Sequence, residues 1–374
     1  MGNARGIALI IVLAIVAILT VLVLEFSYSV WVDMYLSANY DARTQALYAA
    51  KAGVEYGVYL LRSDPDIRVD SLGDSWARPM ELGIGELKRP PDPDEEEDTF
   101  GEDRWREDTN RVEPRDGGTA TVLIVDEDRK IAVGMLNYAR SRPHPVFVEA
   151  LVRLIEDLNV PEASFNAREL VEAMIDWVDN DEEGAWEDYY EALPNPYEPK
   201  SRPFGSVLEL RLVAGVSDAL LFGTVPYPEQ ETGYGTDAGT DWWERENELG
   251  PDDSYGLINF VHALGGQKIN VNTAPREVLT AFFGGDTLVA DQIMERRREE
   301  PFANWAQLKD VIGDATTGDL DLGKLEGWVS FKSVVFRITS IGEYRGARVK
   351  VTAIVYRTGR RDVVTKYYRI ENVE

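Results

Sequence analysis

Seven carboxylates fall within fifteen residues between Asp176 and Tyr190: Asp176, Asp179, Asp181, Glu182, Glu183, Glu187 and Asp188. Calcium takes six to eight hard oxygen ligands, so a carboxylate-rich turn carrying Gly184 suits that ion chemically. The spacing mimics the first half of an EF-hand, with Asp179, Asp181 and Glu183 at positions one, three and five and Gly184 at six. Tyr190 stands where the bidentate Glu belongs, so this is not an EF-hand. The candidate calcium ligands are Asp176, Asp179, Asp181, Glu183, Glu187 and Asp188; a solvated acidic helix end is the alternative reading. Asp176 and Asp179 could also form an acid–base pair, but no nucleophile elbow, phosphate loop or histidine partner accompanies them, so no enzyme activity is expected.

Composition narrows the field further. The 374 residues carry 66 Asp and Glu against 39 Lys and Arg, a net charge of −27, which argues against a nucleic-acid partner. No cysteine is present, which removes disulfides, thiolate metal sites and a cysteine nucleophile. His144 and His262 are too few for a histidine-rich zinc centre.

The acidic turn needs a scaffold, and the chain opens with a long one. Ile7–Leu24 contains one polar residue, Thr20, and as a helix spans roughly 27 Å, close to a bilayer core. Helical spacing continues through Val30, Met34, Ala38, Leu47, Val54, Val58 and Leu61 without a proline. The spacing predicts one helix over 7–62, about 84 Å long, that crosses a membrane and projects beyond it. Arg5 precedes the apolar run, so the positive-inside rule puts the N-terminus in the cytoplasm and residues 25–374 outside. Residues 1–6, ending in Arg5-Gly6, resemble a type IV prepilin leader, which implies cleavage between Gly6 and Ile7 by a prepilin peptidase. Ile11 stands where most pilin-like subunits carry Glu.

Residues 63–118 read as an acidic linker, with six acids in the seven residues Asp92–Asp98 forming a solvated loop. Two β-branched runs, at Thr119–Val125 and Lys130–Asn137, flank a polar Asp126-Glu127-Asp128-Arg129 turn and predict a hairpin over 119–144. Helical spacing returns at Pro145–Leu158 and at 169–178. Residues 203–215 and 301–313 echo each other, with capping patterns Ser206…Glu209 and Asn304…Gln307, and predict two similar short helices. The Gly- and acid-rich piece 228–254 between them reads as an exposed loop. In Ile269-Asn-Val-Asn-Thr-Ala-Pro275-Arg-Glu-Val-Leu279, Asn or Thr is expected to cap a helix with Pro275 in its first turn. With Gly284-Gly285 and a second helix at 288–298 this forms a helix-hairpin-helix, read as a packing module because acids flank its three arginines. Alternation over Val334–Gly342, Ala347–Arg357 and Val363–Ile370 predicts a three-stranded antiparallel meander.

Taken together, RGIALIIVL, LVEAMIDWVDNDEEGAWEDYY, PFGSVLELRLVAGV, INVNTAPREVL and the closing strands resemble the K-type minor pseudopilins of type II secretion systems over nearly the whole chain. The resemblance implies an α+β, pilin-like fold: a long N-terminal transmembrane helix on an antiparallel sheet, with a large α-helical domain inserted. Residues 145–330 would be the insert, and 119–144 with 331–374 the scaffold strands. It further implies an inner-membrane subunit with a periplasmic soluble part, methylated after leader cleavage. That subunit sits at the pseudopilus tip with I- and J-type minor pseudopilins, initiates assembly and helps export folded protein substrates. Calcium binding in the insert is part of the same implication. A minor pilin of a type IV pilus, working in adhesion or DNA uptake, is the alternative, and the helical insert speaks against it.

Overall fold

The computed structural model describes residues 3–84, 118–138, 142–158, 165–180, 186–223, 256–313 and 322–373. The acidic run at 92–98 and the piece 228–254 lie outside the described residues.

One helix, α1, runs from Asn3 to Ser63, as the spacing predicts. An 18-residue window of it has mean hydropathy 2.5 with no residue buried, so it is long and apolar enough to cross a membrane. Its last two turns and the stretch before them carry a stripe of small residues, Ala42, Ala46, Ala49, Ala50 and Gly53, with Val54, Val58 and Leu61 continuing the buried face. That stripe lies on a five-stranded antiparallel sheet, ordered β1 (Met80–Gly83), β2 (Thr119–Asp126), β7 (Val335–Tyr344), β8 (Ala347–Gly359) and β9 (Asp362–Val373). Val122, Ile124, Phe336, Ile338, Val349, Val351, Ala353 and Val355 form the sheet's half of this core.

Contact at one point is backbone to backbone. A Cβ added at Gly342 would lie 2.0 Å from the Ala46 carbonyl oxygen and 2.4 Å from the Ala50 nitrogen. Neither atom can swing aside, so Gly342→Ala must lift the helix from the sheet. The expected cost is about 1–3 kcal/mol, the usual range for overpacking, and is checked by chemical denaturation of the detergent-solubilised protein.

The closing meander is as expected, but the sheet's other half is not. β2 does not pair with residues 130–137. It takes β1 on one side and β7 on the other, with Thr119 opposite Glu343 and Asp126 opposite Phe336. Of the second expected strand only β3 (Ile131–Ala132) is extended, and it pairs in parallel with β4 (Val261–His262), as β5 (Ile269–Asn270) does with β6 (Val329–Ser330). Ile131, Val133, Met135 and Leu136 instead belong to the core of the helical body. The hairpin reading fails because β-branched alternation does not say which layer a strand joins. β1 lies inside the segment expected to be linker.

The helical body holds α2 (Pro145–Leu158), α3 (Ala167–Val178), α4 (Glu187–Glu191), α5 (Asp218–Phe222), α6 (Arg276–Phe282), α7 (Thr287–Glu299), α8 (Trp305–Gly313) and α9 (Leu322–Leu325). Its core is continuous from Ile131 to Val329. The two echoing segments diverge in structure: the second forms α8 over Trp305–Gly313, whereas Val207–Leu212 of the first is a 3₁₀ turn. Both share a detail, since Glu209 accepts from the Gly205 amide and Gln307 from the Ala303 amide.

Candidate functional site

The chain leaves the sheet at Asp126 and returns at Val335, neighbouring points on adjacent strands. The helical body therefore meets the scaffold at one end of the sheet, and five consecutive charged residues, Asp126 to Lys130, are buried there. The sequence reading took the first four for a polar hairpin turn and Lys130 for the start of the next strand. Burying charge is tolerable only when the groups find partners, and Asp126, Glu127 and Asp128 do so through distant parts of the chain.

Asp126 is 1% exposed. Its carboxylate accepts from the Asp128 amide at 2.8 Å, the Thr273 hydroxyl at 2.5 Å, the Asn270 amide at 3.3 Å and the Ser333 hydroxyl. Asp128 accepts the amides of Gly266 at 2.6 Å and Val334 at 2.7 Å. Glu127 pairs with Arg337 at 2.8 Å and Lys130 at 3.1 Å. Beside them Arg357 reaches Asp64 at 2.8 Å and also Asp70, while Asp70 takes the Ser333 amide at 2.7 Å. Helix α1 ends at Ser63, so this ion pair ties the end of α1, the last part of β8 and the root of the body into one knot.

Electrostatics divide the knot. Burial pushes the Asp126 carboxyl up, as does the Asp128 charge, against the hydrogen bonds from Ser333 and Thr273. Asp128 also moves up through burial, against the Val334 and Gly266 amides. Burial lifts Asp70 to about 7 despite Arg357. Glu127 goes the other way: burial raises it, but Lys130 and Arg337 together hold it at about 2. Buried His262 is lowered to about 4, so it is neutral, and its Nδ1 accepts the Gly265 amide at 2.7 Å. With donors on both oxygens of Asp126 and Asp128, the arrangement is that of a structural tie.

The INVNTA segment supplies one side of the knot, and this role was not foreseen. Asn272 and Thr273 do not cap the following helix, whose N-cap is Pro275 without a side-chain bond. Asn270 donates to the Asp70 carbonyl at 3.1 Å and to the Ser333 hydroxyl at 2.8 Å. Asn272 clasps Phe302, accepting its N–H at 2.8 Å and donating to its carbonyl at 2.9 Å. Arg297 donates to the Val271 and Ala274 carbonyls, each at 2.7 Å, so this arginine of the helix-hairpin-helix is spent on packing. Burial lowers it to about 9, with Arg129 and Arg298 adding to the effect. Three polar residues, Asn270, Asn272 and Thr273, in a hydrophobic frame were the available signal.

The candidate calcium residues lie elsewhere, at the end of α3. Asp179 caps that helix and is buried, and Asp176, one turn earlier, accepts the Trp186 amide at 3.2 Å. Glu187 and Asp188 begin α4. Asp181 and Glu183 lie outside the described residues. Among the described residues, the acidic trio with oxygens within 4.8 Å of one another is Asp64, Asp70 and Asp74, two of which already pair with Arg357. Gly6 and Ile7 both lie in the opening turns of α1.

A long apolar N-terminal helix on an antiparallel sheet, interrupted by a helical body, defines a pilin-like protein. Family models described as "Type II secretion system (T2SS), protein K" match residues 130–227 and 269–323, and one described as "PilX N-terminal" matches 5–55. These matches support a K-type minor pseudopilin. The chain is 28% identical over 340 residues to type II secretion system protein K of Pseudomonas aeruginosa, covering 87% of this chain and 80% of that one. The Aeromonas hydrophila protein K is 26% identical over 239 residues, covering 59% and 62% respectively. In fold, the chain resembles one solved in a GspK–GspI–GspJ complex from the enterotoxigenic Escherichia coli type 2 secretion system. That match has a TM-score of 0.59 at 17% identity, over 90% of this chain and 99% of that one.

Proposed function

We propose that the chain is the tip subunit of a type II secretion pseudopilus, acting with I- and J-type minor pseudopilins to start assembly and help export folded proteins. The observation that carries this reading is the position of the helical body. It is tied to the scaffold where α1 ends, about 58 Å of helix beyond Leu24. A body there covers the end of the scaffold remote from the membrane and obstructs stacking of a further subunit beyond it. The anchor sits in the inner membrane with its N-terminus cytoplasmic, and a prepilin peptidase cuts between Gly6 and Ile7 before methylation. Co-expression with the I- and J-type subunits is expected to yield a one-to-one-to-one complex, and N-terminal sequencing a chain starting at Ile7. Recovery of this subunit in many copies along a filament would place it in the shaft and defeat the reading.

Calcium belongs to the same proposal. Asp176, Asp179, Glu187 and Asp188, with Asp181 and Glu183, offer the hard carboxylate oxygens this ion takes, and the Asp176–Trp186 bond supports the fit by holding the residue before α4 beside α3. Calcium at a hundredfold excess over its dissociation constant is expected to add about 2.7 kcal/mol of stability. The gain should vanish in Asp179→Asn/Asp181→Asn. Identical melting in calcium and in chelator would dismiss the site.

A further inference from the structure

We infer that the outer edge of β9 accepts a β-strand from an acidic pilin-like subunit. The inference rests on the tip-complex reading above and names the surface that complex would use. β9 closes the sheet, and no described strand pairs with its outer edge. It is twelve residues long, and every residue from Val364 to Ile370 is exposed. Long bare edges invite association and are normally shortened, charged or covered. The opposite edge obeys that rule, since β1 has four residues.

Both faces of β9 leave apolar side chains exposed. Tyr368 and Ile370 stand opposite Ala353 and Val351, whose side chains pack under α1, so these two lie on the helix side. Val364 and Tyr367 stand opposite Tyr356 and Ile354, on the far side. All four are 42–48% exposed. A row of backbone N–H and C=O groups flanked by apolar side chains above and below is complemented by another extended chain.

Charge selects the chain. Residues 331–374 hold ten Lys and Arg against four Asp and Glu, in a protein whose net charge is −27. Lys366 and Arg369 on the strand, with Arg345, Arg360 and Arg361 in the adjoining turns, are exposed. The partner strand is therefore acidic. β9 of a second copy is a poor fit, because antiparallel self-pairing sets Lys366 and Arg369 against their own like charges. A lipid surface is out of reach: Arg43 bonds Asn372, which puts the near end of β9 beside a point on α1 about 28 Å beyond Leu24.

The absence of cysteine makes the test direct. Full-length Val364→Cys, Lys366→Cys and Arg369→Cys, with Glu81→Cys on β1 as control, would each carry a thiol-linked photo-crosslinker and be co-expressed with the I- and J-type subunits. The β9 positions are expected to give adducts with one of those subunits, and Glu81→Cys none. Lys366→Glu/Arg369→Glu should cut recovery of the complex by about tenfold at low salt, and less at high salt. Adducts between two copies of this chain, or a complex that forms while β9 stays silent, would overturn the β9 assignment and leave the tip-complex reading standing. No complex with the unaltered chain would instead remove the tip-complex reading, and this inference with it.

Discussion

Replacing Arg357 by Met is expected to cost about 3–5 kcal/mol, the range for leaving a buried charge without its partner. The side chain is 2% exposed, and it holds both Asp64 and Asp70, which are themselves buried. Met matches much of its length, so lost packing contributes little. What remains is a pair of carboxylates in a dry site at the end of α1. The expected signature is a lower denaturation midpoint at pH 7.5 that partly recovers near pH 5, where Asp70 can bind a proton. A loss below about 1 kcal/mol at both pH values would mean that water enters the knot and screens it.

Stability is also expected to fall as pH rises from about 4 to 7. Asp70, Asp126 and Asp128 are raised in the folded chain by burial, so between their unfolded values and their folded ones the native state binds the extra protons. Their favourable contribution is complete below about pH 4 and is lost as pH passes the folded values. For Asp70, raised from 3.8 to about 7, the change is on the order of 4 kcal/mol. Glu127, held at about 2 by Lys130 and Arg337, acts in the opposite sense: its contribution is present above about 4.5 and lost as pH falls toward 2. The maximum from these groups therefore lies near pH 4. General repulsion among 66 acidic residues has the same slope above that point, so a variant is needed to separate the two. Asp126→Asn removes one titrating group from the knot and should flatten the decline between pH 5 and 7.5. Parallel profiles for the variant and the parent chain would assign the slope to surface charge instead.

Residues that act through local pattern could be read without a structure. The apolar run at 7–24 and its helical continuation predict α1, and alternation over Arg348–Ala353 predicts β8. The knot could not be read in that way. Asp126 to Lys130 has the composition of a solvated turn, and it is buried because Thr273, Gly266, Ser333 and Arg337 meet it from far along the chain. Binary patterning carries no information about such partners. The same blindness moved the start of the helical body: Ile131 to Leu136 has strand-like composition but packs among helices. The Asn residues of INVNTA were misassigned to capping for a related reason. Asn caps helices often enough that the local explanation concealed a clasp on Phe302, thirty residues away.

The strand order has a consequence for how the protein folds. β7 is the central strand, yet it arrives only after the whole helical body, and its partner β2 precedes that body. During vectorial synthesis β2 must wait, with one side unpaired, until residues 335–344 emerge. Closing a connection of that length in a flexible chain is entropically costly and slow. A helical body that has already folded removes most of the cost, because it brings Asp126 and Val335 together before the strands meet. The body thus serves as the template on which the sheet is completed, and a lesion in its core, at Phe147 or Phe282 for example, would be felt first as failure of β2 to find β7.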